Sequence, residues 1–284
     1  MIPNGYRGHA DVLAQFHGLP NARFRELGTS VDNIPIVACE LGPARAQATS
    51  VVIAGLHALE WIGVETGLAL AQRLAAEPPA DRRIVMVAIA NPDGYRLVEG
   101  DLLAGRRKFR RKNLHGVDLN RNWPAEFRRG RKAHGPSPCS EPEVAAIVRA
   151  LDDEIAAGSR IEVAVSLHSF GRKLLLPWGA RWKRPPRWHE LDSSARAIQA
   201  RITDRYTISQ CARWVPGWVS YGMEIDDLHI RYGANALLVE CSRGGLSFDP
   251  DSWFAPFRWF NPPDPARVAH DLARALEPFV RGHQ

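Results

Sequence analysis

Cysteine is scarce in this chain, four in 284 residues, and the four (Cys39, Cys139, Cys211 and Cys241) are scattered with no C-x-x-C pair. That argues against a disulfide framework and a cysteine-ligated zinc module, and it suits reduced thiols in a cytoplasmic protein. Long apolar runs are missing as well: no uncharged stretch approaches the ~18 residues that a membrane span needs. The opening residues Met1-Ile2-Pro3-Asn4-Gly5-Tyr6-Arg7 lack the apolar segment of a secretion signal. The expected location is therefore cytoplasmic, with no membrane partner. Neither composition nor periodicity points to a repeat, a coiled coil or disorder.

What is present is ordinary for a globular protein: 45% hydrophobic and 24% charged residues, enough chain to bury a sizeable core. No linker divides it, so residues 1–284 are expected to form one domain. The formal charge is +6. Basic residues gather at Arg106-Arg107-Lys108 with Arg110-Arg111-Lys112, and again at Arg128-Arg129 with Arg131-Lys132. Such patches can bind phosphate backbones. No helix-turn-helix, zinc-finger or RNA-binding signature accompanies them, so we read a solvated loop face and expect no nucleic acid. A preference for acidic substrates is a third reading.

Short β-branched runs at Ile34–Glu40, Ser50–Gly55, Ile84–Ile89, Ile161–Leu167 and Ala236–Val239 predict buried strands, with Lys173–Pro177 a further candidate. Helices are expected from Trp61 to Ala76, from Ser140 to Ala157, from Leu191 to Arg205 and from Pro265 to Val280. Ser140 stands as the cap of the second of these, with Pro142 in its first turn. Asn91-Pro92-Asp93-Gly94 reads as a turn, Leu97–Ser140 as a long loop of the kind that usually carries function, and Ser209–Arg231 as loop. Strands alternating with helices predict an α/β fold: a mixed, mainly parallel sheet with helices on both faces.

Three of these strands run out into polar residues. His57 and Glu60 follow the second, His168 the Ile161 strand, and Glu240 the Ala236 strand. In open α/β sheets the ligand crevice lies at the carboxyl ends of strands. Each residue alone has an ordinary reading: a hydrogen-bonded histidine, or a first-turn glutamate facing a helix dipole. A carboxylate directly after four apolar residues is costly to bury without a partner or a task. Together they supply two imidazoles, a carboxylate ligand and a second carboxylate. That is the donor set of a catalytic zinc site with one position open to water.

His57-Ala58-Leu59-Glu60 resembles the H-x-x-E zinc motif of the metallocarboxypeptidases, the family of the digestive zinc carboxypeptidases. Further blocks follow in family order: Asn91-Pro92-Asp93-Gly94-Tyr95, Gly116-Val117-Asp118-Leu119-Asn120-Arg121-Asn122-Trp123, Ser140-Glu141-Pro142-Glu143, and Ser166-Leu167-His168-Ser169-Phe170. Glu240, in Val239-Glu240-Cys241-Ser242, stands where the general base belongs. The resemblance covers roughly residues 27 to 245. It implies one Zn²⁺ per chain on His57, Glu60 and His168, with Glu240 as general base and then acid. It also implies that Asn120 and Arg121 hold the substrate's free carboxylate and that Asp118 orients His57.

The sequence departs from the family pattern in places. The oxyanion arginine is expected late in an R-K-x-R run, where this chain has Leu114; Arg111 is the preferred substitute, with Arg110 and His115 as alternatives. Trp218, Tyr221 and Tyr232 compete for the tyrosine that caps the substrate carboxylate, and Tyr221 is the choice. Phe170 replaces a common tyrosine. The floor of the specificity pocket is expected near Ile225, Asp226 and Asp227, with the register open. Only about 25 residues precede the first matching strand, so no long prodomain is expected. The leading expectation is a zinc metallopeptidase that hydrolyses the C-terminal amide bond of a peptide. The rivals on the same centre are hydrolysis of γ-D-glutamyl murein peptides and deacylation of N-acyl amino acids, each on a substrate with a free carboxylate. An inactive basic binding protein is the reading from another class.

Overall fold

A computed structural model describes residues 1–215, 217–244 and 253–283. Among these, the chain runs α1 (His9–His17), β1 (Arg23–Thr29), β2 (Pro35–Leu41), β3 (Ala48–Ala54), α2 (Trp61–Ala76), β4 (Arg82–Val87) and α3 (Pro92–Leu103). It continues with α4 (Pro142–Ala156), β5 (Arg160–His168), β6 (Lys173–Leu176), α5 (Trp188–Gln199), β7 (Thr207–Gln210), α6 (Glu224–Tyr232), β8 (Asn235–Glu240), α7 (Pro256–Phe260) and α8 (Pro265–Val280). The eight strands form one sheet in the order β1-β2-β4-β3-β5-β8-β6-β7. Its centre, β4-β3-β5-β8, is parallel, while β1, β2 and β6 pair with their neighbours in antiparallel fashion at β1-β2, β2-β4 and β8-β6.

Side chains alternate across the central strands, as the period of two requires. Val52 and Ala54 of β3, with Val163, Val165 and Leu167 of β5, face a core built with α1, α2, α5 and α8. Val51 and Ile53, with Ile161 and Ala164, face a second core under α4 and α6. Both faces of the central sheet are covered, which is why its strands are apolar throughout rather than alternating. Helix α8 buries Val268, Leu272, Leu276 and Val280 at helical spacing. Helix α2, enclosed between sheet and helices, is buried almost all round.

Several elements differ from the sequence reading. Asn91 is a helix cap and not a turn: its Oδ1 accepts from the backbone N–H of Gly94 at 3.0 Å, and Pro92 starts α3, which occupies part of the expected 97–140 loop. Helix α4 begins at Pro142 after Glu141, and the Ser140 hydroxyl donates to Glu141 Oε1 instead of capping the helix. Helix α5 is shifted toward the N-terminus relative to 191–205. The stretch read as loop from Ser209 carries α6, and α1 and β1 precede the first expected strand.

Candidate functional site

The parallel register brings the polar strand ends together. His168, the last residue of β5, pairs directly with Glu240, the last of β8. Beside β5, β3 ends at Ala54 and the chain turns through Gly55, at φ +69°, into the segment carrying His57 and Glu60. The first turn of α2 then presses on the end of β5. A Cβ at Gly63 would lie 2.7 Å from the Leu167 carbonyl oxygen, so only glycine admits this approach. The packing places Glu60 Oε2 2.9 Å from His168 Nδ1, where it also accepts from the Ser169 N–H at 3.0 Å.

His57 Nδ1 lies 2.9 Å from Glu60 Oε1 and 3.0 Å from His168 Nδ1. The outer ring nitrogens are held from behind. Asp118 Oδ1 is 2.9 Å from His57 Nε2, while Glu224 Oε1 at 2.9 Å and Ser166 Oγ at 3.0 Å flank His168 Nε2. With each Nε2–H donated outward to a carboxylate, both Nδ1 atoms turn lone pairs inward, toward each other and toward Glu60. Such an arrangement is repulsive unless a cation lies among them. One ligand atom from each of the three residues lies within 4.8 Å of the others. Two imidazoles and a carboxylate are borderline donors suited to zinc, so the residues fit that metal. The outer carboxylates supply the support that metal-ligating histidines usually have.

Charge in the site is strongly ordered. Burial disfavours an ionised Asp118, but the Arg111 guanidinium and then His57 outweigh it and hold that carboxyl well below the usual range. Burial likewise opposes a charged His168, and the Glu224 carboxylate overrides it, pushing the imidazole up to about 10, so that without metal a proton on Nδ1 takes the place of the cation among these acceptors. Burial and then repulsion from Glu60 push Glu240 up to about 8. Its Oε2 is buried and has no hydrogen-bond partner among the described residues.

A cavity of about 280 Å³ opens onto these groups. His57, Glu60, His168, Glu240, Arg111, Asn120 and Arg121, all singled out in the sequence, line it together. Arg111 donates from Nε to Asp118 Oδ2 at 2.9 Å and from Nη1 to Glu60 Oε1 at 3.1 Å. Its rivals are elsewhere: Arg110 is paired with Asp101, His115 lies 2.9 Å from Glu141, and Leu114 is exposed. Asn120 Oδ1 accepts from the Glu224 N–H, and Arg121 Nη2 donates to Ser220 Oγ at 3.2 Å. Gly222, at φ +64°, lets the 220–224 segment close on Arg121; a Cβ there would meet the Arg121 carbonyl oxygen at 2.4 Å.

Two groups of expected residues lie outside the cavity lining. Tyr221 does not line the cavity; its ring lies under the Arg128 guanidinium, 5.0 Å from the centroid. The aromatic residues that line the cavity are Phe170, Trp214, Trp218 and Phe260, while the Tyr232 hydroxyl donates to Asp152. The pocket floor is also not formed by Ile225, Asp226 or Asp227. Ile225 is in the core, Asp226 accepts from the N–H groups of Gly179 and Ala180, and Asp227 accepts from the N–H of Ala125. The apolar part of the cavity is instead lined by Leu175, Cys211, Met223 and Leu238. Glu224 was missed altogether. Its signal lay in Glu224-Ile225-Asp226-Asp227-Leu228-His229-Ile230-Arg231-Tyr232-Gly233: acids in the first turn, basic residues in the last, and glycine after it.

Comparison with known proteins agrees with this geometry. The family model described as zinc carboxypeptidase matches residues 14–246. Mouse carboxypeptidase A2 is 30% identical over 195 residues, 61% of this chain and 46% of that protein. This chain thus spans about half the length of the curated relatives it matches. Among solved structures, bovine thrombin-activatable fibrinolysis inhibitor in complex with tick carboxypeptidase inhibitor is similar in fold. It has a TM-score of 0.76 at 18% identity, over 98% of this chain and 97% of that one. The murein-tripeptide amidase MpaA from Escherichia coli O157 has a TM-score of 0.55 at 21% identity, over 90% and 95% of the two chains. Among the described residues, no helix is long and apolar enough to cross a membrane.

Proposed function

This chain belongs to the zinc carboxypeptidase family, and on that premise we propose that it removes the C-terminal residue of peptides by hydrolysing the last amide bond. The observation that carries the reading is the joining, in one cavity, of an inward-facing His57–Glu60–His168 set, a Glu240 oxygen without a partner among the described residues, and the Asn120–Arg121 pair. His57, Glu60 and His168 would hold one Zn²⁺. When bound, zinc supplies Lewis acidity, polarising a carbonyl and lowering the pKa of a water.

Glu240 takes the proton of the attacking water on its carboxylate and returns it to the leaving amine nitrogen; its raised proton affinity suits both transfers. Arg111 has Nε and Nη1 engaged by Asp118 and Glu60, which leaves Nη2 to donate to the developing oxyanion. Arg121, with Asn120, binds the terminal carboxylate, and the terminal side chain fills the space between Leu175, Cys211, Met223 and Leu238. Apart from Glu60 and Glu240, which the metal and the proton transfer would engage, no carboxylate lines the cavity among the described residues, so we expect an apolar terminal residue. A diaminopimelate side chain, ending in an ammonium and a carboxylate, would leave charge unpaired there. This weighs against the γ-D-glutamyl reading, which the fold likeness to the murein-tripeptide amidase otherwise favours. N-acyl amino acids remain the other substrates that the same centre would accept.

We treat the chain as one catalytic unit, supported by the single continuous sheet, and place it in the cytoplasm, supported by four unpaired thiols. The test is a substrate panel for the zinc-loaded protein. It holds N-blocked dipeptides with apolar, basic or acidic C-terminal residues, the same compounds as C-terminal amides, and a γ-D-glutamyl-diaminopimelate peptide. Cleavage of free acids with an apolar end, and not of their amides, is expected. Cleavage confined to the γ-glutamyl compound would overturn the peptide reading.

A further inference from the structure

The catalytic reading leaves the basic segments unexplained. Residues 102–117 hold six Lys and Arg and no Asp or Glu, and residues 127–140 hold four and again no acid. Arg106 and Arg110 share one external partner, Asp101. Arg107, Lys108, Lys112, Arg129, Arg131 and Lys132 are exposed and have no acidic partner among the described residues. Like charges this close repel one another, and together they create a positive field on this face.

The first segment borders the cavity. Arg111, inside it, belongs to the first segment, and its carbonyl accepts from the N–H of Ala58 next to His57 at 3.1 Å. Phe109, two residues earlier and exposed, packs its ring 5.9 Å from Phe260 of the cavity wall. Arg107, Lys108 and Lys112 therefore ride on a segment that forms the rim. The second segment is joined to the first: the Asp118 N–H donates to the Ala133 carbonyl at 2.8 Å, Arg131 and Lys132 line a neighbouring hollow with His115 and Val117, and Arg128 covers Tyr221, the neighbour of the cavity-lining residue Ser220.

We propose that these two segments form a subsite for acidic residues upstream of the scissile bond, so that the preferred substrates are peptides with an acidic stretch before an apolar C-terminal residue. The proposal rests on the carboxypeptidase reading. The terminal carboxylate at Arg121 and the scissile carbonyl near Arg111 set the direction of the chain. Continuing past Arg111, the upstream residues emerge onto the rim where Arg107, Lys108 and Lys112 stand. The unpaired cations both hold the acidic stretch there and raise its encounter rate.

The test compares N-acetylated peptides that share an apolar C-terminal residue and differ only in three upstream residues, all Asp, all Ser or all Lys. At ~20 mM salt we expect kcat/KM about tenfold higher for the Asp series than for the Ser series, with the Lys series lower still. At ~0.5 M salt the spread should shrink to about twofold. The variant R107E/K108E/R129E/R131E should keep Ser-series turnover and reverse the order, and calorimetry with the E240Q protein should show the same ranking in Kd. Equal rates for the three series, with Ser-series turnover intact, overturn the subsite alone. So does a single-stranded oligonucleotide that binds the basic segments while the peptides show no charge preference. No turnover of the Ser series overturns the carboxypeptidase reading beneath it.

Discussion

Replacing Glu224 by glutamine should weaken zinc binding without unfolding the protein. Glu224 is fully buried, and its Oε1 lies 2.9 Å from His168 Nε2. Glutamine keeps an oxygen that accepts from that nitrogen, and Ser166 Oγ at 3.0 Å still flanks the ring, so the imidazole stays oriented and only the charge is lost. A hydrogen bond to a charged group is worth ~1–1.5 kcal/mol more than a neutral one. Zinc affinity should therefore fall about tenfold, within the range found for partners behind metal-ligating histidines. Glu224→Ala, which removes the acceptor as well, should cost about a hundredfold. The dissociation constant is measured by competition with a chromogenic chelator, and Tm is recorded with and without metal. A zinc affinity within twofold of wild type, in an E224Q protein whose Tm shows it folded, would refute the reasoning.

Asp118→Asn removes the anion that anchors Arg111 Nε and His57 Nε2. Steady-state kinetics on an apolar dipeptide should show kcat/KM down about a hundredfold. Met223→Asp puts a carboxylate in the apolar part of the cavity and should raise the ratio of lysine-terminated to leucine-terminated turnover by ten- to a hundredfold. Asp226 offers a pH test. Burial pushes its carboxyl up to about 7 from an ordinary 3.8, despite the N–H groups of Gly179 and Ala180. Between those values the native state holds a proton that the unfolded chain has lost. The site's contribution is thus most favourable at low pH and is lost as pH rises through 7. Thermal melts at pH 5 and pH 8 should show Asp226→Asn losing fewer degrees over that interval than wild type, and equal losses would contradict the assignment.

Much of the site was legible because its residues sit in short motifs at strand ends. The apolar runs before His168 and Glu240 give the strands, and a parallel sheet has only one edge to which those ends can lead. The H-x-x-E spacing and the G-V-D-L-N-R-N-W block carried the rest. What stayed hidden depended on packing. Nothing in the order of Arg110, Arg111 and Leu114 says which of them enters the cavity; the turn that bonds the Arg111 carbonyl to Ala58 decides it. The acids at 226 and 227 could be placed near the pocket by counting back from Glu240, but backbone N–H groups capture both. Tyr221 was chosen as the cap by residue type, and its ring lies under Arg128, outside the cavity lining. Helix α6 was obscured by the aromatic residues before it, and Glu224 was lost with it.

The central claim is that His57, Glu60 and His168 form a metal centre served by Glu240. The most direct test is to measure zinc per chain and hydrolysis of an N-blocked, leucine-terminated dipeptide for wild type and Glu240→Gln side by side. The account predicts about one zinc in both proteins, with kcat in the mutant down by 10²–10⁴-fold. A wild-type protein that binds no stoichiometric zinc, or a Glu240→Gln variant that turns over at the wild-type rate, would contradict it.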